Sequence, residues 1–373
     1  SEYLEDKSFE YLRKILPGSE IYKNIYYRED NQEYETDGII IYDSNIIIIE
    51  AKSGKFSLSA KRGGLKRMKK NIKELIDDSF SQALRTKKYI KESQEPLFKY
   101  EDNTIALDLK EKNKYKNIYL FNTTLCNLGH IATHLNSIKR LGLIEGEEWP
   151  WSVFINDLRV ISELIEFPTE FFTFIDRRLK VNDYPQFHAF DELDYLMIYF
   201  YEGLYFESDR MGKYCKITPA AYTEDLDRYY DYSAGRVPSG KKPKIKISER
   251  YKKLILKIEK TKKYGFTELT RKFLGFDSET RKKFLEYIDL KLGNSRKSGK
   301  DKDFSMIFNK VGFGLTCCVN AVGRITSKQK IKKYCTYKMT QTQLNKWYLL
   351  LIESADGSER YDFMIFKEKR NFI

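Results

Sequence analysis

Residues 35–54 read ETDGIIIYDSNIIIIEAKSG, and three of their side chains could do chemistry together: Asp37, Glu50 and Lys52. With a strand over 46–52, Glu50 and Lys52 share one face, because strand side chains alternate. A two-residue loop at Ser44-Asn45, or a four-residue loop over 43–46, sets Asp37 opposite Lys52, and directly opposed residues also share a face. A three-residue loop would turn Asp37 to the other face unless a bulge corrected it. The expected patch is two carboxylates and an ammonium group. It suits a hard cation, Mg²⁺ or Mn²⁺, which binds through one or two carboxylates and keeps water. Asp37, Glu50 and the Ala51 carbonyl are the expected ligands. An ion held there screens a scissile phosphate and activates a water. Lys52 is placed to hold that water or to stabilise the negative charge of the transition state.

Elements that would position these groups surround them in order. Ile46–Ile49 is β-branched throughout, which suits a central strand covered on both faces rather than an exposed sheet edge. The spacing of Phe9, Leu12 and Leu16 predicts a helix over 5–16, stopped by Pro17-Gly18. Strands are expected over 20–28, 36–43, 46–52 and 117–125, with a long helix at about 66–92 carrying Ile72, Leu75, Ile76, Phe80, Leu84 and Tyr89. Helix, three strands, helix, strand is a mixed α/β layer.

Asp37 followed by Glu50-Ala51-Lys52 after an apolar strand resembles the restriction-endonuclease-like nucleases, whose signature is written PD-(D/E)xK, in the manner of their nuclease-related and Mrr-like branches. Thr36 stands where the signature commonly has Pro. Phe9-Glu10 resembles the Phe-Glu pair that opens many such domains, and Gln82 resembles a glutamine of the helix after the core. Tyr89, seven residues on, departs from the usual shorter spacing. The resemblance covers about residues 5–125. It implies a restriction-endonuclease-like mixed sheet flanked by helices and a metal-dependent endonuclease acting on DNA rather than RNA. It adds Gln82 to the catalytic set and Glu10 to the metal set, with Glu35 a rival third acid, and suggests defence against foreign DNA. The alternatives are a non-catalytic nucleic-acid-binding or partner-recruiting module on the same fold, or RNA as the substrate.

The formal net charge of +13 and a pI of about 9.1 favour a polyanionic partner. KFSLSAKRGGLKRMKK follows the patch, and Lys55, Lys61, Arg62, Lys66 and Arg67 are expected on phosphates, against the plainer reading of a solvated charge run. His130 and His134 have i, i+4 spacing without the Glu of a zinc-protease motif, so both are expected to be structural. GNSRKSGKD (293–301) has one residue too many for a phosphate loop and Asp301 in place of Ser/Thr, so no nucleotide hydrolysis is expected. Cys317-Cys318, Trp149 and Trp151 are read as packing residues. No apolar run reaches membrane-span length, and the opening SEYLEDKSFE is unlike a signal peptide. Cys126, Cys215, Cys317, Cys318 and Cys335, without CxxC spacing, fit a reduced, cytoplasmic protein.

The expected organisation is a nuclease core with a strand and helix extension over 1–210, a linker over 211–245, and a basic α+β domain over 246–373. The extension holds a strand over 149–157, a helix 158–166 capped by Asp157, and helices at about 169–180 and 191–205. The tail alternates like strands at 303–319 and 336–352. The region after 126 is the expected surface for a protein partner or a second copy.

Overall fold

The computed structural model describes residues 2–144, 146–184, 187, 189–205, 222–355 and 358–367, without the side chains of Ser59 and Lys61. The chain divides into two compact units, Ser1–Lys246 and Ile247–Ile373. Cys215 and part of the stretch read as a linker lie outside the described residues.

In the first unit, α1 (Glu2–Ile15) buries Leu4, Ser8, Phe9, Leu12 and Ile15, a stripe at helical spacing. Three antiparallel strands follow: β1 (Glu20–Glu29), β2 (Gln32–Tyr42) and β3 (Asn45–Lys52). The β2–β3 turn is Asp43-Ser44, with Tyr42 paired to Asn45 and Asp43 at φ 53°. The loop is therefore one residue earlier than expected. Gly38 pairs with Ile49, so continuing the register brings Asp37 level with Glu50 rather than Lys52. Because the pairing shifts by two, the face assignment survives.

After β3 come α2 (Leu58–Lys61) and α3 (Leu65–Ile72), then a π-helical turn over Lys73–Asp77 that runs on into α4 (Asp78–Glu92). The long helix expected at 66–92 is thus present but widened near its middle. A short hairpin, β4 (Leu97–Lys99) and β5 (Ile105–Asp108), extends the sheet beyond β1 and was not legible in the sequence. β6 (Asn117–Thr124) returns parallel to β3, with Glu50 beside Asn122 and Lys52 beside Thr124. The short helices α5 (His130–Thr133) and α6 (Leu135–Arg140) lead to β7 (Trp151–Phe154), parallel to β6. The seven strands run in the order β5-β4-β1-β2-β3-β6-β7. On one face Ile39, Ile41, Ile46, Ile48 and Leu120 pack with Ile72, Leu75, Ile76 and Phe80. On the other lies α1: Ser8 donates to Thr123 at 2.9 Å, and Phe9 fills the space above Gly38. The isoleucine run is covered from both sides, as its composition requires.

The strand expected over 149–157 is only four residues long, because α7 (Ile155–Leu164) starts directly after it. Asp157 is inside the first turn of α7 and not its cap. Burial, with Asp191 and Glu192 nearby, pushes its carboxyl up to about 7. α8 (Pro168–Val181) and α9 (Glu192–Glu202) complete the extension, followed by α10 (Thr223–Ser233), which occupies part of the expected linker. A buried ion pair, Arg178–Glu192 at 2.5 Å, ties α8 to α9, and Trp151 Nε1 donates to the same carboxylate at 2.9 Å.

The second unit opens with α11 (Glu249–Lys260), α12 (Phe266–Leu274) and α13 (Ser278–Ser298). A four-stranded sheet follows, built from β8 (Lys302–Phe308), β9 (Phe313–Asn320), β10 (Lys346–Ala355) and β11 (Ser358–Lys367) in the order β11-β10-β9-β8. Helix α14 (Lys328–Gln341) crosses between the parallel strands β9 and β10. Residues 336–341, expected in a strand, belong to this helix, whose inner face is Ile331, Cys335 and Met339 at i, i+4, i+8. The phosphate-loop look-alike is the end of α13, closed by Gly299 at φ 67°, and Asp301 accepts the N–H groups of Thr326 and Ser327. Cys317 and Cys318 are packed inside β9. Among the described residues no helix is long and apolar enough to cross a membrane.

Candidate active site

The site lies at the C-terminal end of β3, under α4. Glu50 is 1% exposed, and its Oε1 accepts the Thr36 hydroxyl at 2.9 Å. Asp37 is half-buried, and its Oδ2 accepts the Ala51 N–H at 2.6 Å. Lys52 Nζ lies 4.0 Å from Glu50 Oε2 and donates to Gln82 Oε1 at 2.6 Å. Lys52 therefore reaches from the strand to α4, and Gln82 fixes where its ammonium points.

Electrostatically this is an acid pair short of positive charge. Burial pushes the Glu50 carboxyl up to about 8, and the neighbouring Asp37 charge adds to the effect while Lys52 and the Thr36 hydroxyl oppose it. Asp37 is also raised, first by burial, with the Ala51 N–H and Lys52 pulling the other way. Such a pair is relieved by a cation, and its oxygen donors are of the type a hard ion prefers. Among the described residues no group of three or more His, Cys, Asp or Glu is arranged to hold a metal. An ion here would rest on two carboxylates and otherwise on water or backbone oxygen, an arrangement usual for Mg²⁺.

Residues 2–125 match the family model described as the nuclease-related domain. The match covers about the N-terminal third of the chain, which is similar there to nuclease-related domains. No curated protein and no solved structure matches the chain.

Within the nuclease-related domain, Asp37, Glu50, Lys52 and Gln82 come together, but Glu10 does not join them. Its side chain is 59% exposed and pairs with Lys7 at 2.7 Å. Glu5 is the α1 acid whose charge is felt at Asp37. It lies one turn before Phe9, on the helix side that meets the sheet, whereas Glu10 is turned away. Glu35 accepts the Tyr26 hydroxyl at 3.1 Å on an exposed rim, and its charge still raises both acids. Tyr89 is structural: it stacks on Tyr27 at 4.4 Å and its hydroxyl bonds the Leu97 backbone. His134 Nδ1 lies 3.1 Å from the His130 carbonyl oxygen, inside a short helical segment. Lys55, Arg62, Lys66 and Arg67 are exposed, while the Lys61 side chain is outside the described part of the chain. Two residues at the site were not anticipated as members. Thr36 was noted only as the replacement for Pro. Asn122 is the in-register neighbour of Glu50 on β6, and only the parallel pairing of β3 with β6 reveals it.

Proposed function

We propose that the nuclease-related domain is a Mg²⁺- or Mn²⁺-dependent nuclease that hydrolyses phosphodiester bonds, with DNA preferred over RNA. The observation that carries this reading is the convergence of Asp37, Glu50 and Lys52 on one half-buried patch, with Gln82 orienting the lysine. Asp37, Glu50 and the Ala51 carbonyl would hold the ion. When bound, it polarises the scissile phosphate and lowers the pKa of a water. The chain's own groups do the rest. Lys52 offers a fixed ammonium to the attacking water or to the charge that builds on the phosphate, and Gln82 keeps it from collapsing onto Glu50. Lys55, Lys61, Arg62, Lys66 and Arg67 supply sequence-independent contacts to the backbone. Defence against foreign DNA in a reduced cytoplasm is the setting the family resemblance favours, and Cys126, Cys317, Cys318 and Cys335 are all free thiols.

The test is incubation of the purified chain with plasmid, single-stranded DNA and RNA, in Mg²⁺, Mn²⁺ or EDTA. Cleavage that needs the metal and disappears in Asp37→Ala and Glu50→Ala is the expected result. Metal-independent cleavage, or full cleavage by either variant, refutes the assignment. Binding without any cleavage favours a non-catalytic module.

A further inference from the structure

Asn122 is 1% exposed. In the sheet it is flanked by Glu50 on β3 and by Ser152 on β7. Its Nδ2 donates to Ser152 Oγ at 3.1 Å and to the Leu75 carbonyl at 2.7 Å. Since a carbonyl can only accept, the Leu75 contact fixes which end of the amide is nitrogen. The other end, Oδ1, is buried with no hydrogen-bond partner among the described residues. Buried polar atoms are nearly always paired, so an orphan acceptor at this position calls for a donor that the described residues do not supply.

The donors bonded at the patch are directed to other acceptors. The Thr36 hydroxyl is on Glu50, the Ala51 N–H on Asp37 and the Lys52 ammonium on Gln82. Both amide hydrogens of Asn122 are committed toward β7 and the π turn, which leaves its oxygen for the Glu50 side. Asp37, Glu50 and Asn122 thus stand level on three neighbouring strands, two carboxylates and an amide whose oxygen lacks a described donor. A hydrated divalent cation corrects both deficits, because it brings positive charge for the acids and water hydrogens for the amide oxygen.

We propose that Asn122 is an uncharged third member of the cation site, its Oδ1 accepting a hydrogen bond from water carried by the ion that Asp37 and Glu50 hold. This rests on the reading of that acid pair as a cation site. Asn122 is a positioning residue: it fixes the ion's water without touching the ion. Outer partners of this kind typically change metal affinity by about 10- to 100-fold.

Calorimetric titration of the full chain with Mn²⁺ and Mg²⁺ at pH 8, without nucleic acid, tests it. Wild type, Asn122→Leu, Asn122→Ser, Ser152→Ala and Glu50→Ala are compared, each checked by thermal melting. Asn122→Leu is expected to weaken Mn²⁺ binding by about tenfold or more, and Asn122→Ser to lie between it and wild type. Ser152→Ala removes one of the two Nδ2 partners, leaves the Leu75 contact, and should keep wild-type affinity. If either Asn122 variant melts normally and binds Mn²⁺ as tightly as wild type while Glu50→Ala does not, Asn122 is a packing residue and only this inference falls. It falls equally if Ser152→Ala weakens binding as much as Asn122→Leu, because the effect is then general to the amide's environment. If wild type binds no ion, or Glu50→Ala binds as well as wild type, the cation reading of the acid pair falls and this inference with it.

Discussion

Glu50 makes the fold sensitive to pH in a definite direction. Its carboxyl is raised from 4.5 to about 8, so the native state holds a proton that the unfolded chain releases. Stability is therefore greatest at the acid end of that window and falls as pH rises through it, at a limit of about 1.4 kcal/mol per unit. Asp37 is raised as well and adds a loss of the same sign. In EDTA, melting temperature should fall between pH 5.5 and 8.5 for wild type and much less for Glu50→Gln, and Mn²⁺ should restore wild type but not the variant. A flat wild-type profile would show that the pair is better solvated than its burial indicates. Lys52→Ala should lower turnover by about 100-fold or more, the scale of losing one transition-state donor, with a small change in DNA affinity, since it is one phosphate contact among several. Single-turnover cleavage beside an equilibrium binding curve separates the two. These residues were legible because strand parity tolerates an error of two in pairing: a misplaced turn still left both acids on one face. Glu10 was misread because a family pair in one turn of helix says nothing about which side meets the sheet.

At the scale of the element, the hairpin depends on a missing side chain. A Cβ on Gly38 would lie 2.4 Å from Phe9 Cζ and 2.6 Å from the Tyr22 carbonyl oxygen. The phenyl ring can yield, but the backbone of β1 cannot do so without disturbing its ladder. Gly38→Ala should cost about 1–3 kcal/mol, as overpacking does, measured by chemical denaturation. The ion pair between α8 and α9 makes a second prediction. Arg178→Ala leaves Glu192 buried with Trp151 Nε1 as its remaining side-chain donor among the described residues, and such a broken pair costs about 3–5 kcal/mol. Arg178→Met with Glu192→Leu should recover most of that loss. Long periodic elements such as α1, the isoleucine hairpin and the helix after it were readable from spacing alone. The β4–β5 hairpin was not, since three- and four-residue strands carry too few side chains to show a period. Helix α14 was misread because its buried residues are only Ile331, Cys335 and Met339 among lysines and tyrosines.

For the whole molecule, the basic balance bears on the proposed nucleic-acid partner. Arg62, Lys66 and Arg67 are exposed on the segment that follows β3, and charge there contributes little to the fold. Replacing Lys61, Arg62, Lys66 and Arg67 together with alanine should weaken DNA binding and flatten its salt dependence by up to about 0.9 per lost phosphate contact, with little change in melting temperature. Unchanged affinity and slope would make the run a solvated face. The boundary between the units falls where Gly, Pro and Lys had marked a loss of pattern. The helix just before it, Thr223–Ser233, buries only Leu226 and so shows no apolar stripe. The second unit's sheet was partly visible as alternation, and no residue in it assembles a chemistry that its sequence would advertise.

The π turn over Lys73–Asp77 places two carbonyls, Leu75 and Ile76, within reach of side-chain donors, Asn122 Nδ2 and Ser79 Oγ. It also keeps count for the chain. An α-helix turns by about 100° per residue, so deleting one residue there would tighten the turn and swing everything before it by that angle relative to Gln82. Two descendants of this gene differing by a single codon at this place would share Asp37, Glu50, Lys52 and Gln82. They would nonetheless point their lysines and arginines at different sectors of solvent, so a one-residue gap here would be a change of aim, not a neutral scar.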